Sequence, residues 1–127
     1  MSKKYQNLIY RNVLAPLSSV PFHSDCSCIE RAVAEEFPVH LAIHRITKAQ
    51  GLPQKYVELH EHNAPEINIL IGDEGEMEYQ FQLEDEIYHV RSPASIWIPS
   101  ELKHAANLIK GSGTYVCVIL SGTYVTQ

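Results

Sequence analysis

A chain of 127 residues with a formal net charge of −5 is long enough for one hydrophobic core and too short for two. Apolar residues make up 45% and charged residues 20% of the sequence, which is typical of a globular protein and excludes a disordered or collagen-like chain. The acidic balance, without a cluster of Lys and Arg residues, argues against nucleic-acid binding.

The start of the chain predicts a protein that stays in the cytoplasm. No apolar run approaches the roughly 18 to 20 residues that span a bilayer, and MSKKYQNLIYRN lacks the apolar segment of a signal peptide. Pro and Gly punctuate the chain evenly, and no linker or repeat divides it. We therefore expect a single domain over 1–127, with an N-terminal extension over 1–38 and a barrel core over 39–120.

The N-terminal extension is more apolar over residues 5–22 than a free tail would be. We expect this segment to cover a sheet edge of its own subunit or of a second one, and we predict a homodimer. Further along, Ser27 and Glu30 have the spacing of a helix capping box, apolar residues follow at helical intervals, and Pro38 ends the pattern. The sequence thus predicts one short helix near 28–36.

The three cysteines, Cys26, Cys28 and Cys117, are an odd number and lack the two-residue gap of a zinc knuckle. A disulfide within CSC would be strained. We interpret the cysteines as reduced thiols. The alternative is a thiolate metal site formed by His23, Cys26 and Cys28, which lacks a fourth ligand.

Beyond Pro38 the apolar pattern changes to a period of two. Turn sequences such as NAP, GDEG and GSG separate the alternating segments. Many short strands at even spacing predict an antiparallel sandwich or barrel. The candidate strands are 39–46, 56–62, 66–71, 76–83, 86–91, 95–98, 104–109 and 114–120.

Two histidines and a glutamate form the first candidate metal motif. The period of two places His60 and His62 on the same face of strand 56–62. Glu66 opens the next strand, and an antiparallel neighbour can bring its carboxylate beside the two imidazoles. Two neutral nitrogens and one anionic oxygen suit a divalent first-row metal. Such groups are costly in an apolar interior unless a metal satisfies them, so the alternative is a rim that is open to water.

A second motif, Pro99 followed five residues later by His104, lies in WIPSELKHAAN. The two patterns, His-x-His-x3-Glu and then Pro-x4-His, resemble the two signature motifs of the cupin superfamily over roughly residues 39–120. The resemblance implies an all-β fold, a small jelly-roll barrel with one metal ion in its lumen, to which the short N-terminal helix is added. The metal ligands that it implies are His60, His62, Glu66 and His104.

Four protein ligands leave two adjacent positions of an octahedral ion for water, substrate or dioxygen, which suits catalysis better than a purely structural site. We therefore expect one divalent transition metal (Fe, Mn, Zn or Ni) in an enzyme of the dioxygenase, isomerase or lyase/cyclase type. Its substrate is expected to be a small, anionic or oxygen-rich metabolite, because the ligands leave a net positive charge at the site. The alternative is a non-catalytic module that binds a metal or a small ligand.

Three further residues are candidates for proton transfer or substrate contact. Glu58 shares a face with the predicted ligand histidines and is a candidate general base if it is buried. His44 shares a face of the preceding strand with His40, and a hairpin between that strand and the strand of Glu58 would put His44 and Glu58 together in the lumen. Tyr79 fits the pattern of a core residue, and its hydroxyl group is the one we expect to reach a ligand.

Overall fold

The computed structural model describes residues 3–49, 55–74 and 77–127. Eight strands make up most of the fold, and the helical segments among the described residues are two short 3-10 turns, Gln6–Leu8 and Leu17–Ser19. None of these segments is long and apolar enough to cross a membrane. The strands are β1 (Asn12–Leu14), β2 (Ile29–Ala34), β3 (His40–Ala49), β4 (Glu66–Gly72), β5 (Glu78–Leu83), β6 (Glu86–Arg91), β7 (Ala94–Ile98) and β8 (His104–Ile119).

The strands form a large antiparallel sheet and a smaller one that share β8. The large sheet, called the main sheet below, has the order β1-β2-β3-β8-β4-β7. In the smaller sheet β5 pairs with β6 on one side and with the first half of β8 on the other. The second half of β8 pairs with β3 and β4. The predicted all-β barrel is thus confirmed, with β8 as the strand that connects its two walls.

The GSG sequence bends β8 without ending it. We predicted two strands on either side of a turn here, and the structure has one continuous strand of 16 residues. Gly113 has a φ of +154°, and a Cβ atom at this position would clash with the carbonyl oxygen of Ile71. A larger residue is therefore excluded where the strand passes from one sheet to the other.

The predicted helix near 28–36 is wrong, because β2 occupies this segment. Five residue pairs join β2 to β3, and β1 adds three more pairs on the outer side. Pairing with a neighbouring strand overrides a weak local helix signal. The N-terminal extension therefore covers an edge of its own subunit's sheet, as one of our two alternatives expected.

The predicted strand 56–62 is present only as isolated bridges at Val57, His60 and His62. The hairpin that we predicted between this segment and β3 does not form among the described residues, since β3 pairs with β2 and β8. The turn expected at 50–54 and the first residue of predicted strand 76–83 lie outside the described residues. The other predicted strands agree with the structure to within a few residues, apart from the joining of 104–109 to 114–120.

The alternation of side chains in the main sheet decides what faces the lumen. In β4, Glu66, Asn68 and Leu70 are buried, whereas the intervening residues are half-buried or exposed. The deepest apolar layer lies where both sheets meet. It includes the fully buried side chains of Ile46, Leu70, Met77, Tyr79, Phe81 and Leu108.

Candidate metal centre

Three separate parts of the chain bring four polar side chains into the lumen. His60 and His62 lie in the segment before β4, Glu66 is the first residue of β4, and His104 is the first residue of β8. Reciprocal backbone hydrogen bonds of 3.1 and 2.8 Å tie His60 to His104. Each of the four residues is at most 5% exposed. The structure therefore brings together the four side chains that the two sequence motifs single out.

The ligand atoms of these side chains converge on one point. One ring nitrogen from each of His60, His62 and His104 lies within 4.8 Å of the other two. The Oε1 atom of Glu66 lies 3.1 Å from Nε2 of His62 and 3.3 Å from Nε2 of His104. No other group of three His, Cys, Asp or Glu ligand atoms of this kind occurs in the described part of the chain, so the alternative site at His23, Cys26 and Cys28 is not formed.

Hydrogen bonds on the far side of each ring fix which nitrogen faces the centre. Nδ1 of His60 donates to the carbonyl oxygen of Glu58 at 2.7 Å, and Nδ1 of His104 donates to that of Leu102 at 2.9 Å. Nδ1 of His62 lies 2.9 Å from the hydroxyl group of Thr126. A carbonyl oxygen only accepts, so the proton of a neutral ring stays on Nδ1 and Nε2 presents a lone pair.

The centre therefore fits a cation. Ring nitrogens of the three histidines face a carboxylate oxygen, and the Glu66 Oε1 and His104 Nε2 atoms have no well-formed hydrogen bond within the described residues. Buried polar atoms without a partner are costly, and a divalent ion satisfies all of them at once. Nitrogen and carboxylate ligands suit Fe, Mn, Zn or Ni.

The charge states of the side chains agree with this interpretation. Burial lowers the pKa of His60 to about 4, so its ring is neutral at pH 7. Burial raises the pKa of Glu66, but the adjacent rings of His104 and His62 and the hydrogen bond from Asn68 outweigh it and hold the pKa well below the usual range. Burial lowers the pKa of His104, and the adjacent Glu66 carboxylate more than reverses this. A proton on His104 is therefore what a bound cation would replace.

Asn68 holds the other oxygen of the Glu66 carboxylate. Its Nδ2 donates to Oε2 of Glu66 at 2.7 Å, and its Oδ1 accepts from the hydroxyl group of Tyr115 at 2.7 Å. Both side chains are buried. These bonds leave Oε1 of Glu66 directed at the histidines. The sequence analysis missed both residues, although the alternation of β4 puts Asn68 on the same face as Glu66.

The three residues proposed for catalysis have different positions. His44 and Tyr79 line the cavity next to the metal centre. Glu58 is exposed and does not line it, because the segment 55–62 is not a regular strand and its side chains do not simply alternate. Burial was the condition for Glu58 as a general base, and the structure does not meet it.

The cavity beside the four ligands has a volume of about 60 Å³. Its wall is polar for a protein interior and contains several residues that the sequence analysis did not assign to the site. His23 lies against His60 with ring centroids 5.1 Å apart. The other polar residues on this wall are Arg31, His40, Tyr56, Tyr115, Cys117 and Tyr124.

Comparison with known proteins agrees with the fold. No protein-family model and no curated protein matches the sequence. The structure is similar to a cupin 2 conserved barrel domain protein from Rhodopseudomonas palustris, with a TM-score of 0.57, 11% identity, and coverage of 93% of this chain and 76% of that one.

Two enzymes with the same fold are also similar to this chain. The structure of KdgF from Halomonas matches with a TM-score of 0.56 and 12% identity, covering 80% of this chain and 86% of that one. The oxalate decarboxylase of Bacillus subtilis matches with a TM-score of 0.54 and 15% identity, covering 93% of this chain but 30% of the decarboxylase. The fold of the present chain is that of a cupin.

Proposed function

We propose that this cupin-fold protein is an enzyme that binds one divalent transition metal and acts on a small, anionic or oxygen-rich metabolite. The ligands are His60, His62, Glu66 and His104. The observation that carries the proposal is the convergence, in a buried space, of three histidine nitrogens and one carboxylate oxygen from separate segments of the chain. Purely structural ions are usually enclosed by protein ligands, whereas this centre borders a cavity.

A divalent ion bound here supplies Lewis acidity or, if it is iron, reactivity toward dioxygen. The protein's own contribution is to hold the ligand set rigid and to keep water out. Backbone carbonyls orient the rings of His60 and His104, and Asn68 orients the carboxylate of Glu66. Three neutral rings and one carboxylate leave a net charge of about +1 with a divalent ion, which favours an anionic substrate.

His44 is the residue that we propose for proton transfer. Its Nδ1 donates to the carbonyl oxygen of Tyr115 at 3.0 Å, so its Nε2 is a free acceptor in the neutral ring. Burial lowers the pKa of His44 to about 4, which keeps the ring neutral at pH 7. A neutral ring whose other nitrogen is anchored can accept a proton from a substrate in the cavity.

Tyr79 contributes a fixed polar contact and not a base. Burial raises the pKa of Tyr79 well above its ordinary value, so the hydroxyl group keeps its proton. The ring stacks on Tyr115 with centroids 4.9 Å apart. Tyr79 is therefore proposed to shape the cavity and to hold a substrate by hydrogen bonding.

The experiment that tests this function measures the metal and the reaction on one sample. Purified protein should contain about one divalent ion per chain by elemental analysis. The Fe(II) form should then be tested for oxygen uptake, and the Mn, Zn and Ni forms for isomerisation or elimination, with a panel of small organic acids. Full metal binding without turnover in any form would favour the non-catalytic binding module, and absence of metal binding would contradict both.

The location in the cytoplasm and the homodimer remain predictions of the sequence.

A further inference from the structure

Arg31 is an arginine in the interior of the barrel wall. It lies in the middle of β2, in register with His44 of β3, and its side chain points to the inner face of the main sheet. Only 7% of Arg31 is exposed. Arginine is almost never buried to this extent without a partner of opposite charge.

Within the described residues, the guanidinium group of Arg31 has very little to bind. Its one side-chain hydrogen bond is to the carbonyl oxygen of Ala15, at 3.5 Å, and it forms no ion pair. Arg45 differs clearly, since it is exposed and bound to Asp73 by two hydrogen bonds of 2.9 and 3.1 Å. The guanidinium group has five N–H donors, so most of the donors of Arg31 are unused.

An unpaired buried cation destabilises the fold unless something compensates for it. Burial lowers the pKa of Arg31, which reports the same cost, although an arginine stays charged at any physiological pH. A cost of this kind is commonly kept in a protein where the group serves a ligand.

Arg31 stands between the metal cavity and the outside. It lines the cavity of the metal centre, and it also lines a surface cleft of about 350 Å³. His40 and Tyr124 border both spaces as well. Arg31 therefore lies in the part of the wall that the cavity and the cleft share.

The floor of the cavity between Arg31 and the metal centre is lined by small side chains. The sheet register places Arg31 beside His44 and Glu66 beside Ile119, with Ala42 and Cys117 in the row between. Their short side chains leave room above the sheet. A small molecule in this space would reach the guanidinium group at one end and the metal ligands at the other.

The charges that face Arg31 are few. Burial lowers the pKa of His40 to about 4, and the ring of His44 is neutral for the same reason, so neither histidine adds a positive charge at pH 7. Glu66 is the one carboxylate that lines the metal cavity among the described residues, and Glu35 lies on the outer cleft and is exposed. Arg31 is the single Lys or Arg of the cavity lining in the described chain.

We propose that Arg31 binds the carboxylate of the substrate, while a second oxygen of the same molecule faces the metal centre. This inference rests on the proposed function, because it assigns the substrate of that same site. A planar guanidinium group matches a carboxylate through two parallel hydrogen bonds. The site thus takes a small hydroxy or oxo acid with one negative charge.

The volume of the cavity limits the size of the acid. At about 60 Å³ the cavity is small, which favours a small acid over an extended one. Arg31 balances one carboxylate, and the net positive charge of the proposed metal centre favours the second oxygen of the acid.

The test uses matched probes that differ only in charge. Glycolate and pyruvate are compared with their amides, glycolamide and pyruvamide, by calorimetric titration into the Co(II)-loaded protein. The wild-type protein is expected to prefer each acid over its amide. In Arg31→Met the affinity for the acids should fall by about 30-fold or more, because a buried charge pair is lost. The preference for the acids that remains in Arg31→Met is the contribution of the metal ion.

Two further variants separate charge from folding. Arg45→Met removes the same charge from the outer surface and should leave the preference unchanged. Arg31→Lys keeps the positive charge without the planar fork, and it should retain part of the preference. Arg45→Met, Arg31→Lys and Arg31→Met should all bind Co(II) with wild-type stoichiometry. Titration followed by the visible absorption of bound Co(II) measures this.

The outcomes distinguish the two proposals. A wild-type protein that binds Co(II) but does not prefer any acid over its amide would overturn the role of Arg31, whether or not Arg31→Met folds. Equal affinity of the acids for Arg31→Met and wild type would also overturn it. A wild-type protein that binds no Co(II) would instead contradict the proposed metal centre.

Discussion

In most sheets the buried face is apolar and the face toward solvent is polar. The main sheet departs from this pattern on both faces. The inner face is buried, yet it carries Arg31, His44, Glu66 and Asn68. The outer face is open to solvent, yet its side chains are largely apolar. The apolar residues of the outer face are Leu14, Leu41, Ile43, Ile67, Ile69, Ile71, Trp97, Val116 and Val118, and the polar residues Glu30, Arg45, Ser95 and Thr114 lie on the same face.

The inner face therefore combines part of the hydrophobic core, to which Ile46 and Leu70 belong, with the polar groups of the proposed site. Under the two proposals above, a ligand would satisfy the polar groups at Arg31 and at the metal centre. On the outer face Leu14 is 69% exposed, Trp97 57% and Ile71 52%. A continuous apolar surface of this kind is typical of a protein interface, which is the structural argument for the predicted homodimer.

The largest effect should come from a ligand of the metal centre. His104→Ala removes one inner-sphere bond, and we expect the affinity for a divalent metal to fall by more than about 100-fold, because changes to residues that merely support a ligand already cost 10- to 100-fold. His89→Ala, on the exposed strand β6, is the control and should bind metal as the wild type does. Competition with a metallochromic chelator measures both, and equal affinities would contradict the assignment.

A somewhat smaller effect is expected from the residue that orients Glu66. Asn68→Ala removes the hydrogen bond to Oε2 of Glu66 and should lower metal affinity by about 10- to 100-fold while one ion per chain is still bound. The same chelator competition measures it. Wild-type affinity in this variant would show that the carboxylate is held in place without Asn68, and the inner face would then contain fewer residues devoted to the metal.

The outer face is tested by one charged substitution. Trp97→Glu puts a carboxylate in the apolar surface and should weaken self-association by about ten-fold or more, since a buried unpaired charge is costly. Tyr88→Glu on β6, outside the main sheet, is the matched control. Sedimentation velocity over a range of concentrations measures both. A monomeric wild-type protein would show that the apolar outer face does not bind a second copy.

The smallest effect concerns the acid stability of the inner face. Burial lowers the pKa of His40 and of His44 to about 4, whereas the unfolded chain titrates near the ordinary value of 6.5. Between these values the unfolded chain binds more protons, so the free energy of unfolding should fall as the pH falls from about 6.5 toward 4. The slope is proportional to the number of protons taken up on unfolding, and His44→Leu should lower that number by about one. Urea unfolding of the metal-free protein across this pH range measures it, and an unchanged slope would contradict the burial of a neutral His44.

The period of two was sufficient for an all-β fold, and the resemblance of the two motifs to those of cupins supplied the set of four candidate ligands. Short-range patterns carry this information, since alternation decides which side of a strand a residue faces, and the spacing of His60, His62 and Glu66 is local. The joining of 104–109 and 114–120 into β8 was missed, because the GSG sequence is typical of a turn. In the structure Gly113 instead allows a bend in a continuous strand, where the backbone of Ile71 lies close.

The sequence by itself determined that this protein is an all-β barrel with a polar, histidine-rich lumen. Only the tertiary structure decided which further residues reach that lumen. Residues 28–36 have a helical pattern, and a helix would direct Arg31 away from its apolar face, but pairing with β3 makes the segment a strand and turns Arg31 inward. Glu58 was expected in the lumen and lies at the surface, because its segment is held by isolated bridges and not by continuous strand pairing. Strand pairing joins residues far apart in the chain, and its free energy outweighs the weak local preferences that a sequence pattern reports.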